Sequence, residues 1–70
     1  MSFLVVFQTA ESAEARFDSA DIGVPAKGEL VEWDFESQHT ASIPPGRYRV
    51  VEVVRKPRYP ARVTVWLEPV

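Results

Sequence analysis

The chain has no cysteine, a single histidine and only three glycines in 70 residues. Without cysteine it can form neither a disulfide nor a thiolate metal site, and one histidine cannot build a histidine metal site unaided. The glycines do not form a phosphate-binding loop, because no Gly-x-x-x-x-Gly-Lys-Ser/Thr pattern is present. We therefore expect no disulfide, no resident metal and no small-molecule cofactor.

Long apolar runs are also missing. The longest, residues 3–7, is far too short to span a membrane. The N-terminus lacks the basic flank and apolar length of a signal peptide, so we expect a cytoplasmic protein without a membrane partner. Apolar residues make up 46% and charged residues 26% of the chain, which is typical of a globular protein and not of a disordered one.

The length predicts a single small β domain over residues 1–70, near the lower size limit for a chain that folds alone. Without a disulfide or a metal, the remaining ways to stabilise such a chain are very regular packing or a partner chain. A homodimer is therefore a reasonable expectation.

The net charge of −2 hides an asymmetry between the two halves of the chain. Residues 1–45 contain eight acidic and two basic residues, giving −6, and residues 46–70 contain six basic and two acidic residues, giving +4. Such an asymmetry indicates either a surface for nucleic acid or two halves of a fold that pair with each other.

The hydrophobic pattern predicts an all-β fold, a small curled antiparallel sheet or barrel of four to five strands, of SH3-like or OB-like size. The predicted strands are residues 2–8, 29–36, 47–56 and 61–68, and the tight connection at 57–60 makes the last two antiparallel neighbours. The alanine and glutamate content around residues 10–17 favours one short helix, with Thr9 as its cap. The alternative there is a polar loop that ends in a strand at 15–17.

The alternation also predicts how the strands pair. In the first pair, acids face arginines and aromatic rings face Tyr or Val, as stable sheets prefer. These pairs are Glu36–Arg47, Asp34–Arg49, Phe35–Tyr48 and Trp33–Val50. In the last hairpin the predicted pairs are Val54–Val63, Glu52–Val65, Val50–Leu67 and Arg55–Arg62.

This hairpin register has one difficulty, because it places Glu52 among apolar side chains, where a lone carboxylate is costly. A barrel rim, an arginine partner or a β-bulge that changes the parity of the strand would each resolve it.

One sheet face is predicted to be apolar where a solvated face should be polar. It carries the candidate protein-contact residues Val51, Val53, Thr64 and Trp66. Three occupants can cover it: the first strand or the 9–20 segment, a second copy of the chain, or a ligand.

The last hairpin is rich in cations and contains an aromatic ring. The candidate anion or nucleic-acid residues are Arg55, Lys56, Arg58, Tyr59 and Arg62. Nucleic-acid binders use such cations on phosphates and such rings on bases. A charged hairpin tip that prevents aggregation is the simpler interpretation, and the pI near 5.2 favours it.

No catalytic or metal site is predicted. His39 lies in a polar loop near two serines, without the orienting acid and rigid frame that a hydrolase needs. The acids Glu32, Asp34 and Glu36 could hold a hard cation, but arginines on the next strand are expected to neutralise them. We therefore predict a non-enzymatic binding module that acts through contact with a partner protein or with a second copy of the chain, and nucleic-acid binding through the last hairpin is the alternative.

Overall fold

Alternation of inward and outward side chains organises the described part of the chain into five strands. The computed structural model describes residues 3–11, 13–34, 43–58 and 61–70. The strands are β1 (Leu4–Thr9), β2 (Glu14–Asp18), β3 (Leu30–Trp33), β4 (Gly46–Lys56) and β5 (Arg62–Pro69). The described residues contain no helix, and the all-β prediction is confirmed.

The strands form one mixed sheet in the order β2-β1-β5-β4-β3, which curls through 206° into a half-barrel. The curled sheet was expected, but a purely antiparallel one is wrong, because β1 runs parallel to β5. The burial of β1 on both faces explains its interior position. Val5 and Phe7 point into the core, while Val6, on the other face, is only 3% exposed. Parallel pairs are typical of such doubly buried strands.

The core fills the concave side of the sheet. Its largest buried side chains are Trp33, Phe7, Leu67, Val5, Val50 and Val65. Ile22 and Val24, from the segment between β2 and β3, pack against this cluster. The concave side is therefore occupied by the protein's own side chains.

An aromatic trio joins the two edge strands. Phe17 of β2 and Trp33 of β3 lie edge to face with their ring centroids 6.0 Å apart, and both contact Phe7 in the same way. Each such pair contributes about 0.5–1.5 kcal/mol beyond its burial. These rings bring the edges of the half-barrel together.

The helix predicted near residues 10–17 is wrong, and the alternative of a strand there is confirmed. Ala15 and Phe17 face the core, while Glu14, Arg16 and Asp18 lie on the other side of β2. This period of two matches a strand and not a helix. Pairing with β1 has overridden the helix propensity of alanine and glutamate.

The predicted register of β3 and β4 is wrong by four residues. Arg49 faces Leu30 and not Asp34, and Trp33 faces Gly46 and not Val50. The indole of Trp33 is thus opposite a residue without a side chain, which leaves room for it. An even shift keeps the side chains of β3, and those of β4 up to Val50, on their predicted faces. Phe35 and Glu36 lie outside the described residues, but their predicted pairs with Tyr48 and Arg47 are wrong too, because Tyr48 faces Val31 and Arg47 faces Glu32.

A β-bulge at Val51 divides the hairpin of β4 and β5. Val50 faces Leu67 as predicted, but the next paired residue, Glu52, faces Trp66. The register from there to the turn is one residue away from the predicted one. The bulge suggested by the position of Glu52 is confirmed, and it turns this carboxylate out of the core.

The predicted Arg55–Arg62 pair is corrected by the same shift. Lys56 faces Arg62, and Arg55 faces Val63. Two cations still face each other across the strands, but one of them is a lysine.

Candidate functional site

The convex face of the sheet, which points away from the core, carries an apolar row across three strands. This central row joins Val54 of β4, Thr64 of β5 and Val6 of β1, which are direct neighbours in the two ladders. Val54 is 46% exposed, Thr64 is half-buried and Val6 is buried. Within the central row, Val54 is therefore the residue that exposes apolar surface, on a face that would ordinarily be polar.

Two further rows flank the central row. In the cationic row, nearer the β4–β5 turn, Lys56 faces Arg62. In the acidic row, on the other side, Glu52 faces Trp66. The bulge at Val51 creates this order, because after it the even-numbered residues of β4, Glu52, Val54 and Lys56, lie on the convex face.

The predicted protein-contact residues fall partly on this face. Thr64 and Trp66 are half-buried in the central and acidic rows, and Val51 is 37% exposed at the bulge. Val53 packs half-buried against the core and does not belong to the face. Val54 takes its place, which a uniform alternation could not show because the parity changes at the bulge.

Four cations stand close to the β4–β5 turn. Arg55, Lys56, Arg58 and Arg62 are all exposed, and within the described residues none of them forms an ion pair or a side-chain hydrogen bond. Tyr59, the predicted aromatic of this site, lies outside the described residues. The turn therefore holds positive charge that the described part of the chain does not neutralise.

A groove of about 190 Å³ lies beside these cations. Its lining includes Phe3, Pro57 and Val63 together with Arg55, Lys56 and Arg62. The groove thus combines apolar walls with positive charge, which suits an anion attached to an apolar group. Phe3 was missed from the sequence, because it comes from a part of the chain distant from the hairpin.

The remaining arginines of β4 lie opposite acids. Arg47 lies directly opposite Glu32 of β3, and their charged groups are 3.9 Å apart. Arg49 faces Glu68 on β5. Both arginines were predicted to face acids, Glu36 for Arg47 and Asp34 for Arg49. Each does face an acid, but a different one. Such exposed pairs contribute about 0–1 kcal/mol each to stability. Near the turn, by contrast, Arg55 and Lys56 of β4 face Val63 and Arg62 of β5, and neither partner is an acid.

A larger cleft of about 380 Å³ separates β3 from the segment that precedes it. Its described lining is mainly apolar and includes Phe7, Ile22, Val24 and Trp33, together with the charged Glu29. The Glu29 carboxylate accepts a hydrogen bond of 3.2 Å from the Ala26 N–H. This arrangement offers no nucleophile and base in contact, so it does not indicate catalysis.

The described residues include no group of three His, Cys, Asp or Glu side chains placed to hold a metal ion. No helix among them is long and apolar enough to cross a membrane. His39 lies outside the described residues. The predictions that the chain is not an enzyme and needs no cofactor stay predictions.

Comparisons with known proteins return no relative. No protein-family model matches the chain, and no curated protein and no solved structure matches it.

The cross-strand pair of Lys56 and Arg62 should cost stability. Lys56→Glu converts it into an opposite-charged pair, so we expect the free energy of unfolding to rise by roughly 0.2–1 kcal/mol in urea denaturation at low salt. Arg49→Glu is the matched control, with the same change of charge on the same strand. Because Arg49 faces Glu68, this variant should be less stable than the wild type. At a protein concentration low enough for the wild type to be monomeric, a loss of stability in Lys56→Glu would contradict the pairing.

Proposed function

We propose that the protein is a non-enzymatic binding module that contacts other protein through its convex face. The observation that carries this proposal is the 46% exposure of Val54 in the central row. Trp66, in the adjacent row, is half-buried and adds aromatic surface. Covering apolar surface of this kind is favourable by about 25 cal/mol per Å², and aromatic side chains are enriched at protein contacts.

The two internal segments expected as covers do not lie over the central row. The first strand joins the sheet beside β5, and β2, the strand formed by residues 14–18 of the 9–20 segment, joins it beside β1. Both extend the sheet sideways. Val6 is already buried within the chain, whereas Val54 stays 46% exposed, which supports an external occupant at the Val54 end of the central row.

We propose the cytoplasm as the compartment, with which a chain that lacks cysteine is consistent.

A photoreactive benzoylphenylalanine at position 54 tests the proposal in the native host. We expect covalent adducts of discrete mass, identified by mass spectrometry as another protein or a second copy, because the probe lies within the contact. Position 30 is the matched control, since Leu30 is 51% exposed and lies on β3, away from the central row. No adduct at position 54, or the same adducts at both positions, would contradict the proposal.

Binding of nucleic acid is the second candidate function. It is supported by the four cations at the turn and by the apolar groove beside them. Cations position phosphates, and arginine side chains stack on bases. The acidic pI of about 5.2 supports it less, because nucleic-acid-binding domains are ordinarily basic.

The salt dependence of oligonucleotide binding tests this second candidate. If phosphates contact the turn, log affinity falls linearly with log salt, and Lys56→Gln with Arg58→Gln should flatten the slope by roughly one unit for each phosphate contact removed. Arg47→Gln with Arg49→Gln removes the same charge away from the turn and should leave the slope nearly unchanged. Fluorescence anisotropy with single-stranded and duplex probes measures both. No binding at low salt would end this candidate.

A further inference from the structure

The acidic row and the cationic row lie at equal distances from the central row, on opposite sides of it. Along β4, Glu52 and Lys56 each lie two residues from it, on opposite sides. Along β5, Trp66 and Arg62 do the same. One side of the central row therefore presents two cations, and the other presents a carboxylate and an indole. The two sides are complementary to each other in charge.

We propose that the convex face binds a second copy of the chain in a two-fold symmetric dimer, with the axis running across the strands along the central row. This proposal rests on the proposed function and names its partner. The two sheets would pack face to face, about 10 Å apart, with their strands antiparallel. One patch then serves both copies, as in other two-fold contacts.

This symmetry supplies partners for the charges that have none within the described chain. The axis places Lys56 of one copy against Glu52 of the second copy, and symmetry repeats the pair. The same axis places Arg62 of one copy against Trp66 of the second copy, and a guanidinium is attracted to the face of an indole ring. Val54, which is 46% exposed in the single chain, meets its own counterpart and is covered.

The curvature of the sheet confines the contact to its middle strands. The central row lies on β4, β5 and β1, and β5 is the middle strand of the five. The edge strands curve away from the contact, which keeps the acids Asp18 and Glu14 of β2 out of it. Glu14 also forms an ion pair of 3.0 Å with Arg16. A contact of this small size should dissociate on dilution.

A second copy fits the face better than a partner of uniform charge. An acidic partner would meet the cationic row but be repelled by Glu52. A basic partner would meet Glu52 but be repelled by Lys56 and Arg62. Only a surface that reverses the order of the charges satisfies both rows, and a second copy related by the two-fold axis has that order.

Charge reversal tests the arrangement by sedimentation equilibrium over a concentration series. Glu52→Lys and Lys56→Glu each make two symmetric contacts repulsive, so each should raise the dimer Kd at least about tenfold. The double variant restores opposite charges and should return the Kd to within about threefold of the wild type. Arg49→Glu with Glu68→Lys, which exchanges a facing pair outside the three rows, is the matched control and should leave the Kd unchanged.

Circular dichroism would verify that each variant is folded. A wild type that stays monomeric at every concentration would overturn the dimer, and so would a double variant as weak as the single variants. Adducts from position 54 to another protein would, in either case, leave the proposed function standing. The failure of the dimer and the failure of the protein contact are therefore distinguishable.

Discussion

The extra residue at Val51 is the constraint on which the arrangement of the convex face depends. Before it, Val50 points into the core, and after it the same role passes to Val53, at an odd-numbered position. Without this change Glu52 would enter the core, where an unpaired carboxylate is costly. The bulge moves that charge outward, and it carries Val54 to the surface with it. The acidic row and the exposed part of the central row therefore have the same origin.

The cationic row links the two functional hypotheses. In the dimer, Lys56 and Arg62 meet the acidic row of a second copy; with nucleic acid they would meet phosphates. Both ligands neutralise a like-charged cross-strand pair that the described chain leaves uncompensated. A polyanion that occupied these side chains would compete with the second copy. Self-association and anion binding are thus expected to oppose each other at this row.

Local patterns predicted the fold class and the last hairpin, because alternation and a tight turn depend only on neighbouring residues. The parallel pairing of β1 with β5 and the strand at Phe17 depend on distant partners, so composition there favoured a helix instead. The register of Trp33 depends on the space opposite Gly46, which no pattern of charges reveals. Glu52 did carry a signal, since a charge among apolar residues indicated a bulge. The sheet face on which Val54 lies could not be predicted from that signal alone, because it depends on how β4 pairs with β5 after the bulge.

Cross-strand nuclear Overhauser effects between β4 and β5 of the wild-type protein test the central claim most directly, because they report the register on each side of Val51. The account predicts backbone contacts between Glu52 and Trp66 and between Val53 and Val65, with Val50 still opposite Leu67. Contacts of Glu52 with Val65, in one unbroken register through the whole hairpin, would contradict it. The convex face would then lose Val54, and with it the basis of the proposed contact.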